Sequence, residues 1–441
     1  MNAALLLPLV VVSVSWADTQ TLGLLPANPH YFSAPDGSPL LLVGDYTWGT
    51  FSDREPEYDY AAMFETLQNH GLNFARVWVW WGCEFFSDEI GRRNFIPCPR
   101  PGPGTARDAL PKWDLDSFED GFFTRLAEVC SAARERGIVL QLTLFDAWNI
   151  KHAELWAAHP FHRDNNVNGV DGDPRDTGNG TDGEQGFCSL GNPAVMDAQR
   201  RFIERVVRAV NGFDNILLEI ANENYYSAEW ELELCRYIHE LEAELPRQHL
   251  VMPLDLPNHD YGAIKTWDID KLHSSLLKAR ELGQPLILDT DGIGTPDSDR
   301  GRRAFWTALS SGGHVSYLDE SLQTGSEWKG DTRGTRWEAQ RAELGVLARF
   351  SRLVRFWEMT PDDALVRAGR AFAMGSDREV VAYLPDGGEV TLDLSRLPAQ
   401  ARGTWVDPRT GEMTGAEVTA GNQSVARPPG GGDWVLWVHA Q

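Results

Sequence analysis

Eight short apolar runs, separated by segments of helical periodicity, constrain this chain more than any other feature. They are LLLVGDYTW from residue 40, NFARVWVWW from 73, GIVLQLTLFD from 137, NILLEIANE from 215, HLVMPLD from 249, TWDIDKLHS from 266, PLILDTD from 285 and GHVSYLD from 313. Short, nearly continuous apolar runs suit strands buried on both faces, and their alternation with helices is the pattern of parallel βα units. The segments EYDYAAMFETLQNHG, LDSFEDGFFTRLAEVCSAARERG and NPAVMDAQRRFIERVVRAVNG carry apolar residues at three- and four-residue steps and end at glycine. WELELCRYIHELEAELP stops at a proline instead. Eight such units close a (β/α)8 TIM barrel, an α/β fold. The fifth and sixth units are short for a full crossover, and Pro253 sits inside a strand assignment, which weakens that stretch.

At 441 residues the chain exceeds what one core normally supports, so a second, smaller domain is expected. From about residue 364 the pattern changes to REVVAYLP, EVTLDLS, GTWVDPRTGE and DWVLWVHAQ, separated by Gly, Pro and Asp turns. That is the signature of a small antiparallel β-sandwich. The expected division is a signal peptide or first strand over 1–17, the barrel over 18–362 and the sandwich over 363–441. The leading apolar run ends in Ser-Trp-Ala before Asp18, which fits a cleavage site, although a basic leader is missing. Secretion or a periplasmic location is the expectation that follows.

A net charge of −24, from 40 basic and 64 acidic residues, argues against nucleic acid and anionic membranes as partners. Five cysteines form no disulfide framework; Cys83 and Cys98 could close one loop, while Cys130 and Cys235 fall in helical patterns as buried thiols. No Cys/His metal spacing, glycine-rich phosphate loop or G-x-S-x-G elbow is present, which removes zinc hydrolases, nucleotide binders and common serine esterases.

Active residues in such a barrel sit where the strands end. Those ends supply Asp45, Arg76, Trp80, Asp146, Asn222, Glu223, Asp255, His273, Asp289, Asp291 and Asp319, an acid-rich mouth with Trp48 and Trp148 nearby. Aromatic faces at a cleft suit the apolar faces of sugar rings, as they also suit a large core. His273 could touch substrate or orient a carboxylate. Asp45 and Asp146 could each bind sugar hydroxyls or hold a loop.

The fourth run closes with ANEN, and here the chain resembles the clan A glycoside hydrolases, whose general acid/base is the Glu of such an Asn-Glu pair. Arg76 in FARVW is similar to the clan's active-site arginine, and the opening NPHYFSAPDGSPLLLVGDYTWGTF and the loop PCPRPGPG resemble clan members carrying a C-terminal domain described as collagen-binding. The resemblance implies cleavage of the O-glycosidic bonds of an oligosaccharide or polysaccharide from a plant, microbial or algal glycan. Glu223 would be the proton donor, and Asn222 would hydrogen-bond the sugar's 2-hydroxyl.

The clan's nucleophile is a Glu on the seventh strand, but its natural position here is Thr290, flanked by Asp289 and Asp291. Strand alternation points both aspartates away from the threonine's face unless the strand is displaced. Asp is also shorter than Glu by one C–C bond, ~1.5 Å. Because retention needs carboxyls ~5–5.5 Å apart and inversion ~6.5–9.5 Å, the exchange bears on stereochemistry. Retention is the expected outcome, with Asp291 first as partner because it lies nearest the loop, Asp289 second and Asp319 third. A non-catalytic carbohydrate-binding pseudoenzyme of the same fold is the alternative.

No cofactor is expected. The long third loop, HPFHRDNNVNGVDGDPRDTGNGTDGE, starts like a calcium loop with Asp164, Asn166 and Asn168 before Gly169, yet its twelfth position is Arg175 rather than Glu. Calcium is therefore a minor alternative to a polar lid that contributes a subsite.

Overall fold

The computed structural model describes residues 21–46, 51, 59–79, 96–253, 262–266, 268–289, 299–318 and 338–440. Its centre is a sheet of eight strands: β1 (Val43–Tyr46), β2 (Phe74–Trp78), β3 (Val139–Asp146), β4 (Ile216–Asn222), β5 (Val251–Met252), β6 (Gly262–Lys265), β7 (Leu286–Asp289) and β8 (His314–Leu318). Every pairing is parallel, in the order β5-β4-β3-β2-β1-β8-β7-β6. Strand β1 joins β2 on one side and β8 on the other, so the sheet curls into the TIM barrel expected from the eight runs. Gly44 permits one close approach in that curl, because a Cβ there would fall 1.8 Å from the Phe74 carbonyl oxygen.

The helices follow their sequence signals. Helix α1 (Tyr60–His70) is capped by the Asp59 side chain and ends at Gly71 with φ 77°, and α2 spans Asp120–Glu135. Helix α3 (Pro193–Val210) starts after Asn192, whose side chain accepts from Val195, with proline in its first turn. Helix α4 (Ala228–Glu242) is capped by Ser227. Helices α5 (Ile269–Ala279), α6 (Arg300–Ser310) and α7 (Glu338–Ser351) complete those around the barrel. None of the described helices is long and apolar enough to cross a membrane.

The sixth unit differs from expectation. TWDIDKLHS is not a strand: Asp268 accepts from Asp270 and Lys271 and so caps α5, while the strand is the preceding Gly262–Lys265. Its apolar residues alternate over too short a span to distinguish strand from helix, and the cap decides it. His273 therefore lies on a helix. Cys98 is a free buried thiol, as are Cys130, Cys188 and Cys235, while Cys83, its suggested partner, lies outside the described residues.

Inside the barrel the residues are layered. Leu42, Phe74, Val139, Leu217, Met252 and Ile287 form one buried apolar cluster with Leu22, just before, and Phe32, within, a small N-terminal antiparallel hairpin (Gly23–Leu24 and Phe32–Ser33, extended by Pro39–Leu40), which plugs the end where the strands begin. Two residues further along β2, β3, β4 and β7 the same face turns polar, with Arg76, Gln141, Glu219 and Asp289.

The C-terminal strands form a six-stranded antiparallel sheet facing a three-stranded one, a β-sandwich. Alternation divides the large sheet's residues between two cores. Val380, Ala382, Leu384, Leu436 and Val438 fill the sandwich, while Val381, Tyr383, Val435 and Trp437 join the core shared with the barrel. Tyr383 stacks on Trp306 of α6, and Arg302 of the same helix binds Asp433 at 3.0 Å across that junction while pairing with Glu343 of α7 at 2.7 Å.

Candidate active site

The polar layer is organised around Arg76, which is 3% exposed. Its Nε donates to Glu219 Oε2 at 2.8 Å and its Nη2 to Glu219 Oε1 at 2.7 Å, a two-pronged pairing of a planar guanidinium with a planar carboxylate. The same Nη2 donates to Asn222 Oδ1 at 3.1 Å, and Nη1 reaches Asp289 Oδ2 at 3.4 Å. Gln141 and Thr143 also donate to Glu219. With four donors around it and 1% exposure, Glu219 positions the arginine and does not meet a substrate.

Glu219 and Asn222 are three residues apart, so strict alternation would place them on opposite faces of β4. Both bond Arg76, which requires the pleat to shift phase between them. Strand β3 shifts in step: Thr143 pairs in register with Glu219 and bonds it, and Asp146 pairs with Asn222 and bonds it. Phe145 is thereby turned outward onto Phe202 of α3. The shift brings the Asn-Glu end of β4 over the barrel.

Asn222 is held from two sides. Its Oδ1 accepts from Arg76, and its Nδ2 donates to Asp146 Oδ1 at 2.9 Å, so neither end of the amide can be exchanged without losing a bond. Asp146 also accepts from the backbone N–H groups of Trp148 and Asn149. Burial pushes the Asp146 carboxyl up to about 6, against those three hydrogen bonds and with a further push from Glu223. The next residue, Glu223, has φ +50°, a left-handed conformation that side-chain-bearing residues seldom adopt. Such strain is found where function requires an exact placement. Its carboxylate lies 3.6 Å from Lys151 Nζ, and Lys151 in turn sits 5.1 Å from the centre of the Trp148 ring.

The structure thus brings together Arg76, Asp146, Trp148, Asn222, Glu223 and Asp289 at the C-terminal ends of β2, β3, β4 and β7. Asp45 lies on β1, in register with Ala75 and Tyr317. Trp48, Trp80, Asp291 and Asp319 lie outside the described residues, as do Thr290, Asp255 and residues 1–20. Trp78 is a buried wall, its ring 5.3 Å from the Arg76 guanidinium carbon.

His273 is the clear correction. Being helical, it points away from the mouth, bonding Ser311 Oγ and Asp363 Oδ1 at 2.7 Å each and packing on Phe372 of the sandwich. It joins two domains. The calcium-like loop uses its side chains locally: Asn166 Nδ2 donates to the carbonyls of Pro160, His162 and Val170, Asn168 bonds Asp114 and Leu115, and Arg175 pairs with Asp182. Glu219, Gln141, Thr143 and Lys151 were missed from sequence. A charged residue amid the apolar ILLEIAN was the one available signal for Glu219, because a mid-strand carboxylate in a parallel barrel must face a partner inside it.

No protein of curated function matches the sequence. A family model described as "Putative collagen-binding domain of a collagenase" matches residues 359–439. The fold is similar to that of a glycoside hydrolase family 5 protein from Bacteroides vulgatus ATCC 8482, with 14% identity, 96% of this chain and 93% of that one covered, and a TM-score of 0.66. A second protein of that organism, named "a putative glycoside hydrolase", has 15% identity, coverage of 96% and 83%, and a TM-score of 0.68. A third, named "Glycoside hydrolase", has 13% identity, coverage of 96% and 97%, and a TM-score of 0.62. At these identities the likeness establishes a shared architecture over nearly the whole chain: a (β/α)8 barrel followed by a β-sandwich.

Proposed function

We propose that the protein is a glycoside hydrolase acting through two carboxylates, with Glu223 as general acid and Asp289 as nucleophile. One observation carries this: Arg76 links Asn222, the neighbour of Glu223 at the end of β4, to Asp289 at the end of β7. Cleavage of a glycosidic bond needs exactly two acids on opposite sides of the anomeric carbon, one to protonate the leaving oxygen and one to attack. Glu223, strained and partly exposed, donates the proton. Asp289 forms the bond to the anomeric carbon, with the Arg76 guanidinium at 3.4 Å holding it in place. Glu223 then takes a proton from water, whose oxygen displaces Asp289 and regenerates the enzyme with net retention. Asn222, locked by Arg76 and Asp146, has its second amide hydrogen to offer a ring hydroxyl, and Trp148 lines the subsite. The names of the structural neighbours support an oligosaccharide or polysaccharide as substrate.

A panel of aryl glycosides and polysaccharides, assayed with wild type, Glu223→Gln and Asp289→Asn, tests the assignment. Acid–base catalysis contributes ~10²–10⁴-fold, so kcat should fall by that order in Glu223→Gln. Azide should rescue Asp289→Ala on an aryl glycoside and give a glycosyl azide of inverted configuration. Full activity in Asp289→Asn with loss in Asp291→Asn would transfer the nucleophile to Asp291. Binding of glycans without turnover by the wild type would make the protein a carbohydrate-binding pseudoenzyme instead.

A further inference from the structure

A second crevice lies at the opposite end of the barrel from Glu223. It opens between the N-terminal hairpin, the end of α5 and the sandwich, with a volume of about 830 Å³. Its end of the barrel is fixed by Tyr31, next to His30 of the lining: the buried Tyr31 ring contacts His314, the first residue of β8. Arg280, Arg355 and Arg378 line it against two carboxylates, Glu358 and Asp377, a local excess of cations in a chain of net charge −24. Glu358 is taken up by Arg355.

Arg280 is the telling residue. Its Nη1 is buried, the Tyr31 phenol is its hydrogen-bonding neighbour, and among the described residues no carboxylate pairs with it. Burial draws its pKa below the ordinary value, and the neighbouring Tyr31 phenol, pushed up to about 12 by burial, brings no negative charge. The space for this guanidinium is kept by Gly312 at φ +80°, where a Cβ would fall 2.4 Å from Arg280 Nη1. His30 beside it has Nδ1 buried with no partner among the described residues. A half-buried cation without a counter-charge carries a desolvation cost, and an entering oxyanion would offset it. The volume is that of a small-molecule site and far exceeds a lone ion, and Trp357 supplies an aromatic wall.

We propose that this crevice binds an acidic saccharide, its sulfate or carboxylate held by Arg280 and Arg378 and its ring set against Trp357. That the anion is carried on a sugar rests on the function proposed above; capture of the oxyanion rests on the crevice alone.

Titration calorimetry with sulfated, uronate-bearing and neutral oligosaccharides of equal length, and with inorganic sulfate, tests it at low and high salt. The Arg378 side chain is exposed and bonds nothing among the described residues, so Arg378→Ala leaves the fold intact. A charge-assisted contact is worth ~1.5–3 kcal/mol, so affinity for the acidic oligosaccharides should fall roughly tenfold or more in Arg378→Ala and again in Arg280→Gln, while neutral ones bind as before. Acidic oligosaccharides that bind no better than neutral ones at low salt, or bind both variants as tightly as wild type, overturn the proposal. Inorganic sulfate binding as tightly as the acidic oligosaccharide overturns its saccharide part. The readout is binding at a site remote from Glu223, so this result and the turnover assays fail independently.

Discussion

Glu219→Gln removes one negative charge from the centre of the barrel and changes almost nothing else in volume. In the wild type the Arg76 and Glu219 side chains are 4% and 1% exposed and share bonds of 2.7 and 2.8 Å. Breaking a buried pair by removing one partner costs ~3–5 kcal/mol, because the remaining charge stays buried. Asp289 at 3.4 Å still faces the guanidinium, so the lower end, about 3 kcal/mol, is expected. The new amide also presents N–H groups to a side chain that has only donors. With an m-value of about 3 kcal/mol/M, the urea midpoint read by tryptophan fluorescence should fall by roughly 1 M. Replacing both partners, as Arg76→Met with Glu219→Leu, removes the orphaned charge and should recover at least half of that loss while abolishing turnover. A Glu219→Gln midpoint within about 0.2 M of wild type, or a double variant no more stable than the sum of the singles, would falsify the claim that this pair anchors the polar layer.

Three further outcomes follow from particular residues. The Asp146 carboxyl is raised from 3.8 to about 6 in the folded state, so the native protein keeps a proton that the unfolded chain has released. Stability should fall by up to about 3 kcal/mol as pH rises from about 4 to about 6, and Asp146→Asn should flatten the urea-midpoint profile there; an unchanged slope removes Asp146 as its source. Glu223→Gly relieves a left-handed φ and should raise stability by about 1 kcal/mol while losing activity; a lower melting temperature would show that the strain is not stored there. His273→Ala removes bonds between barrel and sandwich and should destabilise by ~1–3 kcal/mol with kcat and KM unchanged; a changed KM would return His273 to the active site.

By itself the sequence determined what local periodicity and capping can determine. Runs such as GIVLQLTLFD and NILLEIANE are strands because nothing in them supports another period, while Asn192 before Pro193 starts a helix through its side-chain cap and Gly71 after His70 ends one through its left-handed backbone. The Asn222-Glu223 pair and Arg76 were legible as candidates from their places at strand ends. Where local signals were weak, the inference failed: Asp268 caps a helix over a stretch that alternates like a strand, and His273 went with it to the domain junction. Only the tertiary structure could decide the partners of Arg76, since Glu219 lies 143 residues away and Asp289 lies 213 away. Nor could a rule of alternation foresee that β3 and β4 shift phase together, turning Asp146 and Asn222 to the same face as Thr143 and Glu219. Periodicity is a property of one strand, whereas a buried charge is placed by groups that meet only once the barrel has closed around it.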